Sequence, residues 1–336
     1  MQITDGSQNN QLYVDPFGRT IDYLRLSVAD RCDLRCFYCM PKGYKNFEEP
    51  EHWLTFDEIE QIMTAFSELG VRRVRVTGGE PLVRKNLPEL VSKLDAIPGI
   101  DDLSLSTNAV KLARHAEVLK DSGISRLNVS LDCLDADKFR DITGGGKLEK
   151  VLAGLEAAKQ AGFSPIKINM VVMKGVNDEQ ILPMVQFCAE QGFTLRLIET
   201  MPMGATGRNA YEQYLPLSEV REQIEARYEL VPAVEKGAGP ARYVSIPEIG
   251  LKLGFITPIS QHFCASCNRV RLGVDGTLYL CLGQEHSYPL REIVRSGVTQ
   301  SELKQHLIKA LSLKPERHEF KEKPDNIIRI MSATGG

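Results

Sequence analysis

No apolar run in this 336-residue chain approaches the roughly 20 residues needed to cross a bilayer, so a helical membrane span is excluded. There is no excess of positive charge either. The 41 basic and 44 acidic residues leave a net charge of −3, which rules out a broadly cationic nucleic-acid surface but not a local basic pocket. The opening residues, MQITDGSQNN, have neither the basic start nor the apolar core of a secretion signal. Low-complexity segments and long internal repeats are also missing. What remains is ordinary for a globular enzyme: 43% hydrophobic and 25% charged residues, at a length that suits a barrel with an appendage. The expectation is a cytoplasmic protein without nucleic-acid or membrane partners, whose thiols serve metals or catalysis rather than disulfides.

The eight cysteines are unevenly placed. Cys32, Cys36 and Cys39 fall within eight positions, and Cys264, Cys267 and Cys281 form a second trio. Cys133 and Cys188 stand alone and read as small buried hydrophobes.

Residues 22–199 alternate apolar strands with amphipathic helices, and the strands read as 22–28, 72–77, 102–107, 126–132, 167–173 and 194–199. Between the first two strands, Thr55 and Glu58 fit a capping box and Gly70 a stop for a helix over 55–70. Six such units predict a parallel sheet with right-handed crossovers. One parity of the strands is apolar, as in Leu24, Leu26, Val74, Val76, Leu127 and Val129. The other carries Arg25, Arg75, Ser106, Asn128, Ser130, Asp132, Lys167, Asn169 and Arg196. A doubly wound sheet is apolar on both faces, and a closed eight-stranded barrel fills its lumen with branched apolar layers. A polar, cationic second face therefore predicts a partial (β/α)6 barrel of the TIM-like α/β class, with its lumen serving as a ligand site.

Residues 1–20 read as a flexible segment, 21–200 as the barrel, and 201–336 as an α+β extension that closes it and ends in Gly335-Gly336. Within the extension, 201–209 reads as a loop and the chain from 217 as a helix. A hairpin over 269–281 turns at Asp275-Gly276, with helical segments at 288–297 and 300–312.

Three thiolates leave one iron of a [4Fe–4S] cube free for an exogenous ligand, and the C-x3-C-x2-C loop directly follows the first strand, where barrel enzymes keep their chemistry. Zinc is the competing reading. His52 lies thirteen residues beyond the first trio, whereas His262 is near the second but makes a cramped chelate with Cys264. Arg269 and Arg271 share a strand face beside the second trio and suit phosphate oxygens. The glycine-rich 143–148, TGGGKL, lacks the first glycine and the Ser/Thr of a P-loop.

With Tyr38 before the third cysteine, and T-G-G-E-P at 77–81, the first trio resembles the radical S-adenosylmethionine superfamily. Adding C-x2-C-N-R-V-R, a later cysteine and a terminal Gly-Gly, the chain resembles the GTP 3',8-cyclase family over residues 20–336. That resemblance implies two [4Fe–4S] clusters, one on each trio, and S-adenosylmethionine held by Tyr38, Gly79, Ser130 and Met201. It implies GTP held by Arg25, Arg75, Ser106, Lys167, Arg269, Val270 and Arg271, with Arg271 a candidate catalytic group. The reaction implied is radical cyclisation of GTP to (8S)-3',8-cyclo-7,8-dihydroguanosine 5'-triphosphate, the first step of molybdenum cofactor biosynthesis. An unidentified electron donor and a monomeric or homodimeric state complete the expectation, neither being fixed by the sequence. Ser106 stands where the family often has threonine, and its hydroxyl is retained. Two other readings stay open from sequence: a radical enzyme for another phosphorylated substrate, and a non-catalytic nucleotide-sensing metal protein.

Overall fold

The computed structural model describes residues 12–235 and 239–335. Its first half lays down β1 (Tyr23–Ser27), α1 (Phe56–Glu68), β2 (Arg73–Thr77), α2 (Leu87–Asp95), β3 (Asp102–Thr107), α3 (Ala116–Asp121), β4 (Arg126–Ser130), α4 (Ala136–Thr143), α5 (Leu148–Gln160), β5 (Ile166–Val172), α6 (Ile181–Gln191) and β6 (Thr194–Glu199). The capping box at Thr55 and Glu58 starts α1. All of β1 to β6 pair in parallel, in sequence order. The apolar parity is buried throughout: Leu24, Val74, Leu105, Val129, Ile168 and Leu195 have no exposed surface and share one core with the helices.

The second half supplies α7 (Gly204–Tyr211), α8 (Leu217–Glu225), β7 (Val231–Ala233), β8 (Arg242–Ile246), β9 (Leu251–Ile256), β10 (Arg269–Leu272), β11 (Thr277–Tyr279), β12 (Ser287–Pro289), α9 (Arg291–Arg295), α10 (Gln300–Leu311) and α11 (Met331–Thr334). Its strands join both edges of the parallel sheet. β9 pairs in parallel with β6, and β10 in parallel with β1, giving the order β12-β11-β10-β1-β2-β3-β4-β5-β6-β9-β8-β7. Without these additions, β1 and β6 would each present an unpaired backbone edge. The partial barrel is thus wider than its six-stranded nucleus.

The register has an electrostatic consequence. Arg271, Arg25 and Arg75 stand level on three adjacent strands. Neighbouring strands are about 4.8 Å apart, and like charges directly opposite one another destabilise a sheet. Such a row calls for an anion.

Three local expectations need correction. Residues 204–211 form α7 rather than a loop; Gly207 is required there because a Cβ would lie 2.7 Å from the Met201 carbonyl oxygen. The segment 288–297 begins in β12 before turning into the short α9. Residues 12–20, within the stretch expected to be flexible, are anchored through buried Tyr13 and Asp15 while most of the segment stays exposed. Tyr13 is buried edge-on against Phe66, and its hydroxyl donates to the Leu307 carbonyl at 2.8 Å. Residues 1–11 lie outside the described residues. No described helix is long and apolar enough to cross a membrane.

Candidate active site

All six clustered cysteines line one cavity of about 290 Å³. A single water needs roughly 10–15 Å³ on this measure, so the space is large enough for a ligand. The first trio sits on the loop after β1. Its turn is closed by the amides of Cys39 and Met40, which donate to the Cys36 carbonyl at 2.9 and 3.1 Å. The second trio comes from the loop before β10 and from the chain just beyond β11; pairing of those two strands brings Cys281 back to Cys264 and Cys267.

Burial pushes the Cys32 thiol up to about 12 and the Cys39 thiol up to about 11, and it raises Cys36, Cys264 and Cys281 as well. These groups stay protonated in the metal-free protein, and a coordinating metal would deprotonate them. Cys267 differs. Burial pushes its thiol up, but the neighbouring Lys314 and Arg269 cations outweigh this and hold it below its ordinary value. Two sets of three soft donors facing one cavity fit iron–sulfur ligation with an open corner on each cluster.

The same cavity has a cationic wall. Arg25, Arg75, Arg196, Arg269 and Arg271 line the cavity, and the Nε atoms of Arg25, Arg75 and Arg196 are buried without a hydrogen-bond partner. Burial brings Arg75 down to about 9 and lowers Arg196, Arg269 and Arg271, so each charge strains against its surroundings. Tyr23 faces this group, with Arg75 and Arg269 over its ring at 5.5 and 5.8 Å.

Of the residues singled out from sequence, Tyr38, Gly79, Ser130 and Met201 line the cavity, as do Arg25, Arg75, Ser106, Arg269, Val270 and Arg271. Lys167 does not. It opens into a small adjoining pocket that shares Tyr23, Arg75 and Arg196 with the main cavity, and there it lies 3.5 Å from Glu235. The Gly78-Gly79 pair serves chain packing as well as access. A Cβ on Gly78 would lie 2.3 Å from the Ala29 carbonyl oxygen, and one on Gly79 2.5 Å from that of Arg31. Glu80, almost wholly buried, accepts from the Thr107 hydroxyl and from the Asn108 and Leu82 amides at 2.7, 2.7 and 3.0 Å; burial pushes it up to about 7. Three donors leave a carboxylate room for one more partner. Tyr38 donates to Asp132 at 2.6 Å, which fixes the aromatic ring inside the first trio.

The C-terminal tail enters this site. Arg271 Nη1 donates to the carbonyls of Gly335 and Thr334 at 2.5 and 3.4 Å. Gly335, at φ 72°, packs so closely on Thr77 that a Cβ would lie 2.3 Å from its methyl group. Gly336 lies outside the described residues.

Strand parity places Tyr23, two residues before Arg25, on the same face, so the sequence carries a signal for it. His318 had no signal at all. It is buried in the cavity wall, and its Nε2 lies 3.3 Å from His262 Nδ1. His262, Cys264 and His318 bring one ligand atom each to within 4.8 Å of one another.

Known proteins match this chain over nearly its whole length. Residues 26–188 match the Radical SAM superfamily and 193–320 match Molybdenum Cofactor Synthesis C. A GTP 3',8-cyclase of Hydrogenovibrio crunogenus is 48% identical over 96% of this chain and 99% of its own length. One from Nitrobacter hamburgensis is 45% identical over 99% and 98%. Among solved structures, Streptococcus suis SuiB bound to S-adenosylmethionine shares the fold at a TM-score of 0.57 and 17% identity, over 78% of this chain and 60% of that one. The chain belongs to the GTP 3',8-cyclase family of the radical SAM superfamily.

Proposed function

We propose that the cavity holds S-adenosylmethionine at the first trio and GTP at the second, each trio carrying one [4Fe–4S] cluster. Family membership makes the chain an enzyme of the first step of molybdenum cofactor biosynthesis, with S-adenosylmethionine and iron–sulfur chemistry as its means. The observation that carries the fuller reading is the row Arg271–Arg25–Arg75 in the one cavity that both cysteine trios line. When bound, the first cluster and S-adenosylmethionine supply the one-electron chemistry that gives the adenosyl radical.

The chain's own residues bind, orient and exclude. Arg25, Arg75, Arg269 and Arg271 offer the triphosphate bidentate guanidinium contacts, and Lys167 extends the cationic path once freed from Glu235. Tyr38, Gly79, Ser130 and Met201 frame S-adenosylmethionine, and Glu80 offers its remaining lone pair to the ammonium. Ser106 faces the ribose, while Val270 and the tail at Gly335 keep water from the reacting carbon. The outcome is that the C3' hydrogen leaves in 5'-deoxyadenosine, C3' bonds to C8 of guanine, and one electron from the external donor and one proton complete the 7,8-dihydro product.

Incubation of the anaerobically reconstituted chain with GTP, S-adenosylmethionine and dithionite should give 5'-deoxyadenosine together with the 3',8-cyclised nucleotide. Deoxyadenosine without cyclised product would overturn the assignment of GTP. A second reading, zinc at His262, Cys264 and His318, is favoured by the short separation of those donors. It leaves Cys267 and Cys281 without a role, and zinc in place of iron in the reconstituted chain would establish it.

A further inference from the structure

Lys314, just past α10, is 3% exposed and stands behind the second trio rather than in the cavity wall. Its Nζ donates to the Leu280 carbonyl at 2.5 Å and the Arg269 carbonyl at 2.9 Å, and it lies 3.8 Å from Cys267 Sγ. Leu280 precedes Cys281, and Arg269 follows Cys267 by two residues. Two carbonyls and a cysteine sulfur match the three N–H donors of a lysine ammonium. No carboxylate among the described residues forms an ion pair with it. A buried cation without an anionic partner is costly. The nearest candidates for that partner are the three cysteines.

Arg19 completes the frame. It donates to the carbonyls of Cys264, Pro315 and Glu316 at 2.9, 2.7 and 2.6 Å, so one member of the trio and the two residues after Lys314 are tied to one guanidinium.

We propose that Lys314 is the positioning and charge-compensating residue of the second cysteine trio. It fixes the spacing of Cys267 and Cys281 and, once a cluster is bound, raises that cluster's reduction potential by placing a positive charge beside one of its thiolates. The inference rests on the two-cluster reading above. An added electron in a low-dielectric site is stabilised by a fixed cation, and the effect falls away at the first trio across the cavity.

The test uses the full chain, reconstituted anaerobically, as wild type, K314Q, K314M and K314R. Its readouts are iron per chain, the midpoint potential of each cluster by redox-titrated electron paramagnetic resonance, and S-adenosylmethionine cleavage as a check on the first centre. Wild type should hold about eight irons. K314Q and K314M should keep the first centre and its cleavage activity, while the second cluster is lost or titrates at lower potential. K314R, which keeps the charge, should lie nearer wild type. Eight irons in wild type with an unshifted second cluster in K314Q would overturn the inference alone. So would equal damage to both centres, or K314R behaving no better than K314Q. Only four irons in wild type would overturn the two-cluster reading, and this inference with it.

Discussion

Arg271 has two obligations. Its Nη1 holds the tail at Thr334 and Gly335, and its place level with Arg25 and Arg75 makes it part of the proposed triphosphate cradle. Hydrogen bonds to charged groups contribute about 1.5–3 kcal/mol, so R271A should weaken GTP binding roughly 10- to 100-fold. Equilibrium binding to the cluster-loaded chain checks this, and unchanged affinity would remove Arg271 from the phosphate site. His318 offers a pH test. Burial and His262 bring its imidazole down to about 4, below the ordinary value near 6.5. The unfolded chain therefore binds more protons between those values, and its stabilising effect, fully present above about 6.5, is lost as pH falls toward about 4. Denaturant unfolding of the metal-free protein should follow that course, and H318F should flatten it. Residues such as Arg25 and Arg75 were legible in the sequence because a strand alternates its faces strictly. His318, Lys314 and Arg19 were not, because each reaches the second trio alone from a distant turn or segment and leaves no period to read.

Among the elements, the tail is the most exacting. Gly335 combines a positive φ with contact on Thr77, next to Gly78-Gly79. A side chain there meets both strain and a β-branched neighbour, so G335V should expel the tail. The expected result is loss of most cyclised product, with the melting temperature of the loaded chain nearly unchanged. Wild-type product yield would show that the tail only rests in the site. The six parallel strands were read within a residue or two because their apolar alternation is unbroken. α7 resembles a loop in sequence for a physical reason: it has two glycines and no apolar periodicity, and packing of Gly207 on Met201 outweighs poor helix propensity.

For the molecule as a whole, the C-terminal region is less an appendage than two extra margins of the same sheet. β10 on one side and β9 on the other continue the parallel run, and this continuation turns the second trio toward the first. Sequence order hid that arrangement, since nothing local announces that residues 269–272 pair with residues 23–26. Polarity of the lumen was nonetheless visible beforehand, and it is the lumen that makes a partial barrel useful for a large anionic substrate. The central claim is that two open-cornered clusters share this cationic space, and that only the second meets the substrate's base. Anaerobic electron paramagnetic resonance of the reduced chain, with and without GTP, tests it most directly when wild type is compared with C32S. Wild type should show two cluster signals, of which GTP perturbs one, and that perturbed signal should survive in C32S. A single signal, or a GTP effect that disappears with Cys32, would contradict the account.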